Sequence, residues 1–99
     1  MTIDVTEFGS RAALDHALID WLRAELGTEH GFPHAFLISG GRTPKPVFAA
    51  LAREPFAPSL AARLAYTDER HVPPHDPQSN YGDSLEMVRA LGLPREHVL

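Results

Sequence analysis

The sequence contains no cysteine, which excludes disulfide bridges and metal sites with thiolate ligands. Basic residues are also few: nine Lys and Arg stand against thirteen Asp and Glu, and the formal net charge is -4. Domains that bind nucleic acid are usually basic, so this balance argues against a nucleic-acid partner. No stretch approaches the roughly 18 apolar residues of a membrane-spanning helix. The N-terminus lacks the basic and apolar regions of a signal peptide, so we expect a cytoplasmic protein.

The first third of the chain predicts a strand followed by a helix. Apolar residues alternate over residues 3–8, a pattern typical of a strand. Ser10 is a suitable N-cap residue, and residues 11–26 carry apolar side chains at offsets typical of one helix face. We expect Gly27 to follow this helix in the left-handed conformation.

The rest of the chain predicts alternating strands and helices. Residues 35–38 form an apolar run without alternation, typical of a strand buried on both faces of a parallel sheet. A helix, a strand, a helix and the start of another strand are then expected over residues 44–53, 63–67, 83–91 and 96–99. This order predicts an α/β fold with parallel strands and helical crossovers. So few strands leave an uncovered edge, so we interpret residues 1–99 as the N-terminal segment of a larger α/β domain.

The stretch "SGGRTP" joins the buried strand to the following helix. Gly40 and Gly41 allow positive φ angles and let a ligand approach the backbone. Thr43 and Pro44 are typical N-cap and N1 residues, so we expect the helix to begin there. A helix N-terminus offers unpaired N–H groups and partial positive charge, which favour an anion.

Ser39 stands where this strand ends, the edge at which parallel sheets bind ligands. Arg42 and Lys45 add two cations to the same turn. The stretch matches neither the phosphate-binding loop of nucleotide hydrolases nor the dinucleotide fingerprint. From the glycine pair alone, phosphate binding and a simple tight turn are therefore equally favoured.

A second polar loop follows the next predicted strand. It begins with Asp68, Glu69 and Arg70, which we expect at the same edge of the sheet as the glycine turn. An arginine beside carboxylates binds phosphate in a fixed orientation. The alternative is that these charged side chains form salt bridges and backbone contacts within their own loop or simply face solvent. Ser79 and Asn80 are interpreted as a turn and the N-cap of the last helix.

The histidines do not predict a metal site. His71 and His75 are four positions apart, but the two prolines between them forbid the helix that would align them. A triad of Ser39, Asp68 and His71 is disfavoured because Ser39 lacks the glycine-flanked turn of such nucleophiles.

Together, "LISGGRTPKP" and "TDERHVPPHDPQSNYG" resemble the 6-phosphogluconolactonase family. The sequence is similar, more distantly, to glucosamine-6-phosphate deaminases, which share the fold. The resemblance implies a three-layer, Rossmann-like α/β fold with a mainly parallel sheet. It also implies hydrolysis of 6-phosphoglucono-δ-lactone, a sugar-phosphate substrate, without a metal or organic cofactor.

The resemblance also implies roles for individual residues. Arg70 would neutralise the phosphate or the developing oxyanion, and Asp68 would orient a polar partner; these two are the implied catalytic residues. The implied substrate-binding residues are Ser39, Gly40, Gly41, Arg42, Thr43 and Asn80. The family's presumed base is a histidine in a later G-x-D-G-H-x-A-S-type motif, which this sequence lacks. A non-catalytic sugar-phosphate-binding module therefore remains an alternative.

Overall fold

Two parallel strands joined by a crossover helix form the centre of the fold. The structure is a computed structural model that describes residues 2–29 and 33–99. The strands pair in parallel, with His34 opposite Ala62 and Ile38 opposite Tyr66. A short 3-10 turn, Arg95–His97, follows the last helix. The helices and strands, in chain order, are α1 (Arg11–Gly27), β1 (His34–Ile38), α2 (Lys45–Arg53), β2 (Ala62–Tyr66) and α3 (Asn80–Leu91).

The ends of α1 and α3 follow from capping residues. The Ser10 hydroxyl accepts a hydrogen bond from the Ala13 N–H at 3.1 Å, as predicted. The prediction for Gly27 was wrong, because this residue is the last of α1 and the chain leaves through extended backbone at Thr28. The left-handed glycine ends α3 instead, where Gly92 has φ of 69°.

Helix α2 begins later than the sequence predicts. Pro44, rather than Thr43, is the N-cap residue, and no side chain caps this helix. The Pro44 carbonyl accepts from Val47 and Phe48 at 3.0 and 3.1 Å, so the first helical hydrogen bonds start from this residue. Pro46 lies in the first turn, where a missing N–H breaks no helical hydrogen bond.

The hydrophobic core lies between one face of the sheet and the three helices. Leu51 of α2 is fully buried at its centre, with Leu64 of β2 and Leu26 of α1. The α/β class with parallel strands and a helical crossover is confirmed. The described residues supply two of the three predicted layers, a sheet and one layer of helices.

The other face of the sheet carries no helix among the described residues. Side chains of β1 alternate between partly buried and exposed, and Leu37 is 69% exposed. The prediction that this strand is buried on both faces is therefore wrong in this structure. An apolar run indicates that a strand prefers burial, but the helices that would cover its second face come from other parts of the fold.

The two ends of the chain differ from each other. Residues 3–8 form no strand, contrary to the prediction, and Ile3 and Val5 are 76% and 79% exposed. A period-two pattern forms a strand only where another strand pairs with it, and none of the described strands does. The strand start predicted over residues 96–99 is wrong at its beginning, because Arg95–His97 is a 3-10 turn, but Val98 then forms an isolated parallel bridge with Leu64. None of the helices in the described ranges has the length and apolar character needed to cross a bilayer.

Replacing Leu51 with alanine tests the position of the core. We expect the free energy of unfolding to fall by about 2–5 kcal/mol, because the change leaves a cavity among three helices and the sheet. Leu60, which is 81% exposed, provides the matched control, and Leu60→Ala should change stability by less than about 0.5 kcal/mol. Urea unfolding measures both; equal effects of the two substitutions would contradict this core.

Candidate functional site

A cavity of about 280 Å³ lies beyond the carboxyl ends of β1 and β2. The two strands are parallel neighbours, so the segments that follow them meet at one edge of the sheet. The Ser39 hydroxyl lies 2.7 Å from the Thr67 hydroxyl, and the Thr67 N–H donates to the Ile38 carbonyl at 3.0 Å. The cavity is lined by Ser39, Gly40, Gly41, Thr67, Asp68, Arg70 and Asn80.

Asn80, in the first turn of α3, holds the loop that follows β2. Its Nδ2 donates to the carbonyls of Thr67 and Asp68 at 2.8 and 3.2 Å. The side chain is buried, so these hydrogen bonds replace water that the amide has lost. Asp68 has φ of 52°, in the left-handed region that few residues other than glycine adopt. The Asn80 amide therefore holds Asp68 in an unfavourable backbone conformation.

The glycine turn packs directly on this amide. A Cβ placed on Gly40 would lie 1.8 Å from Asn80 Oδ1, which is far inside van der Waals contact. Gly41 has φ of 99°, a conformation that side chains disfavour. Each glycine is thus required for a separate reason, Gly40 for space and Gly41 for backbone conformation.

Arg70 is the cation of the cavity lining. Its Nη1 donates to the Gln78 carbonyl at 3.2 Å and contacts Asn80 Oδ1 at 3.5 Å, while Nη2 lies 3.5 Å from Asp68 Oδ2. About half of the side chain is exposed. A guanidinium has five N–H donors, so it can bind an anion while it keeps these contacts.

Glu69 lies between two cavity residues in sequence, but its carboxylate is bound to the start of α3. Oε1 accepts from the N–H groups of Arg70 and Asn80 at 2.9 and 2.8 Å. Oε2 accepts from the Tyr81 N–H at 2.8 Å and the Ser79 hydroxyl at 3.3 Å. Desolvation opposes ionisation, but the hydrogen bonds to the charged form outweigh it, and the pKa of Glu69 lies below its ordinary value.

The cavity gathers six of the eight residues predicted from the sequence, namely Ser39, Gly40, Gly41, Asp68, Arg70 and Asn80. Their catalytic and binding roles stay predictions. Arg42 and Thr43 are exposed and lie outside this lining, and the Thr43 carbonyl accepts a hydrogen bond from the Arg11 side chain.

The sequence predicts that Ser79 and Asn80 form the turn and N-cap of α3, and the structure divides these positions between them. The Ser79 hydroxyl accepts from the Gly82 N–H at 2.9 Å, so Ser79 is the N-cap and Asn80 is the first helical residue.

Two residues of this region were missed. The sequence places Thr67 in the strand, but β2 ends one residue earlier and Thr67 lines the cavity. The sequence groups Glu69 with its charged neighbours, and no local signal separates it from them, because it lies 11 positions before the N–H group of Asn80 that it accepts from. Among the described residues no cluster of histidine and carboxylate side chains fits a metal ion, and none of the described histidines lines this cavity.

Comparison with known proteins assigns the chain to a family. A family model described as "Glucosamine-6-phosphate isomerases/6-phosphogluconolactonase" matches residues 10–99, which is most of the chain. The chain belongs to this family. The family match therefore agrees with the resemblance of the two loop motifs to 6-phosphogluconolactonases.

Two curated relatives are named 6-phosphogluconolactonase. The protein from Haemophilus influenzae is 37% identical over 65 residues, which cover 62% of this chain and 28% of the relative. The protein from Aggregatibacter actinomycetemcomitans is 36% identical over 70 residues, which cover 67% of this chain and 30% of the relative. The match therefore spans less than a third of either relative.

A solved structure shows the same fold. The crystal structure titled "devB protein" superposes with a TM-score of 0.76 and 30% sequence identity, over 93% of this chain and 40% of the other. The α/β architecture described above is thus that of a part of the isomerase/lactonase fold.

Replacing Gly40 with alanine tests the contact between the two loops. The new methyl group would displace the Asn80 amide from its carbonyl partners, and we expect a loss of about 1–3 kcal/mol in unfolding free energy. Gly9→Ala is the matched control, because nothing lies within 4 Å of a Cβ at Gly9. Denaturant unfolding compares the two, and a Gly40→Ala protein as stable as the Gly9→Ala protein would contradict the contact.

The lowered pKa of Glu69 predicts how stability depends on pH. Its ordinary value is 4.5, and the folded value is lower, so the carboxylate stabilises the fold fully above about pH 4.5. This contribution is lost as the pH falls through the folded pKa. Unfolding of the native and Glu69→Gln proteins should therefore differ most above pH 4.5 and converge at lower pH. A difference that is constant from neutral to acid pH would refute this assignment.

Proposed function

We propose that this chain forms the substrate-binding part of a 6-phosphogluconolactonase, which hydrolyses 6-phosphoglucono-δ-lactone to 6-phosphogluconate in the oxidative pentose phosphate pathway. The observation that carries the proposal is the meeting of Arg70 with the glycine turn in one cavity. The names of the curated relatives support the same activity. The lack of cysteine agrees with the reducing cytoplasm, where we place the protein.

Arg70 and the glycine turn suit a sugar phosphate for different reasons. The guanidinium supplies charge and paired donors for a phosphate or an oxyanion. Gly40 and Gly41 leave the backbone open, so their N–H groups can approach a ligand without interference from a side chain. The start of α2 contributes less than the sequence predicts, because Pro44 and Pro46 have no N–H to donate.

Hydrolysis of the lactone requires two further elements. Water adds to the carbonyl carbon, and the ring C–O bond then breaks to give a carboxylate and a hydroxyl group. A base must activate the water, and donors must stabilise the oxyanion. Arg70 is our candidate donor, and Asp68, 3.5 Å from its guanidinium, orients it. We place the base outside the described residues, in the part of the relatives that this chain does not cover.

A second candidate is the isomerisation or deamination of glucosamine 6-phosphate. It is supported by the description of the family, which includes glucosamine-6-phosphate isomerases. Both substrates are sugar phosphates, so the cavity lining fits either. Assays of the full-length protein with each substrate separate the two activities, and binding without turnover of either would favour a non-catalytic module.

Arg70→Ala tests the proposed site. We expect kcat/KM for 6-phosphoglucono-δ-lactone to fall by roughly 100- to 1,000-fold in the full-length protein, because the phosphate or oxyanion loses its charged partner. Arg89→Ala, an exposed position on α3, removes the same charge away from the cavity and should change kcat/KM less than about threefold. Equal activities of the Arg70→Ala and native proteins would exclude Arg70 from the site.

A further inference from the structure

Glu69 divides its hydrogen bonds between a helix and a loop. Two acceptor contacts, from the N–H groups of Asn80 and Tyr81, belong to the first turn of α3. The contact from the Arg70 N–H belongs to the loop that forms the cavity wall. One carboxylate therefore ties the backbone of Arg70 to the helix that carries Asn80.

A simple helix cap does not account for this arrangement. Helix α3 already has an N-cap, Ser79, whose hydroxyl accepts from the Gly82 N–H at 2.9 Å. A second acceptor satisfies two further N–H groups of the helix, but the hydrogen bond from Arg70 does nothing for helix stability. This hydrogen bond constrains the loop.

The hydrogen bond from the Arg70 N–H constrains the segment from Asp68 to Arg70, and both of these residues line the cavity. Asp68 has a left-handed backbone at φ of 52°, and its carbonyl accepts from the Asn80 side chain at 3.2 Å. Arg70, two residues on, is fixed at its backbone by Glu69 and at its guanidinium by the Gln78 carbonyl. Without the Glu69 carboxylate, the backbone between Asp68 and Arg70 loses one of the two anchors that hold it against α3.

The same carboxylate also decides where a substrate anion does not bind. The first N–H groups of a helix attract phosphate, but those of Asn80 and Tyr81 already donate to Glu69. A phosphate at this helix start would have to displace a carboxylate of like charge. The anion is therefore left to Arg70 on the cavity side.

We propose that Glu69 is a positioning residue of the sugar-phosphate site. It holds Arg70 and Asn80 next to each other in the cavity wall and keeps substrate phosphate away from the start of α3. It acts through these two residues and does not touch the substrate. This proposal rests on the proposed function for its kinetic readout, but its structural readout is independent of any substrate.

Glu69→Gln in the full-length protein is the test. An amide has one oxygen, so it can accept from either the Arg70–Asn80 pair or the Tyr81–Ser79 pair, and its NH₂ group faces the donors of the other pair. NMR of the Asn80 side-chain amide should show a changed chemical shift and hydrogen exchange that is about tenfold faster. kcat/KM for the lactone should fall about 10- to 100-fold, because a displaced Arg70 binds the phosphate or the oxyanion less well.

Two variants separate positioning from stability. Ser79→Ala removes the N-cap of α3 and the longest Glu69 contact, 3.3 Å, but keeps the three backbone contacts of Glu69 to Arg70, Asn80 and Tyr81, so it should lower stability and leave kcat/KM within about threefold. Glu86→Gln removes a carboxylate at an exposed position of the same helix and should change neither readout. If Glu69→Gln does not fold, Glu69→Asp carries the test, because it keeps both oxygens and shortens their reach by one methylene.

The outcomes distinguish the two proposals. If the native protein does not hydrolyse the lactone, the proposed function fails, and the Asn80 amide signal alone decides the role of Glu69. If the Glu69 variant loses stability but keeps the native Asn80 signal and native kcat/KM, Glu69 is only a helix cap and the positioning role is overturned.

Discussion

The cavity depends on one buried side chain, the amide of Asn80. Its Nδ2 donates to the carbonyls of Thr67 and Asp68, so the first turn of α3 holds the loop after β2. Gly40 completes the arrangement, because only a residue without a Cβ lets the loop after β1 lie against the same amide. A buried amide without partners costs about 1–3 kcal/mol, so the two loops and the helix form one cooperative unit. A change in any of the three is expected to affect the others.

The elements that the sequence predicts correctly have local causes. Helices α1 and α3 follow from apolar spacing and from the capping residues Ser10 and Ser79, which act within one turn. The failures share a different cause. Residues 3–8 and the exposed face of β1 carry strand-like patterns, but pairing and coverage depend on other parts of the fold. Pattern alone therefore predicts the type of these elements better than their surroundings.

The candidate site was predictable to the extent that topology defines it. Parallel strands bring their carboxyl ends together, so the glycine turn and the loop from Asp68 to Arg70 were expected at one edge, where the cavity lies. The contact of Gly40 with Asn80 joins residues 40 positions apart, and no local pattern encodes it. The role of Glu69 was hidden for a similar reason, since three successive charges look alike in sequence while their side chains point to different partners.

In the proposed site, anion binding falls to a side chain rather than to a helix. At α3 the carboxylate of Glu69 already accepts from the N–H groups of the first turn, and at α2 two prolines remove donors from the helix start. Arg70 is the cation that remains in the cavity lining. Its guanidinium is planar and is held by Asp68 and the Gln78 carbonyl, so it loses little freedom when it binds an anion. A lysine at this position would bring a charge without this fixed orientation, which gives a physical reason for arginine.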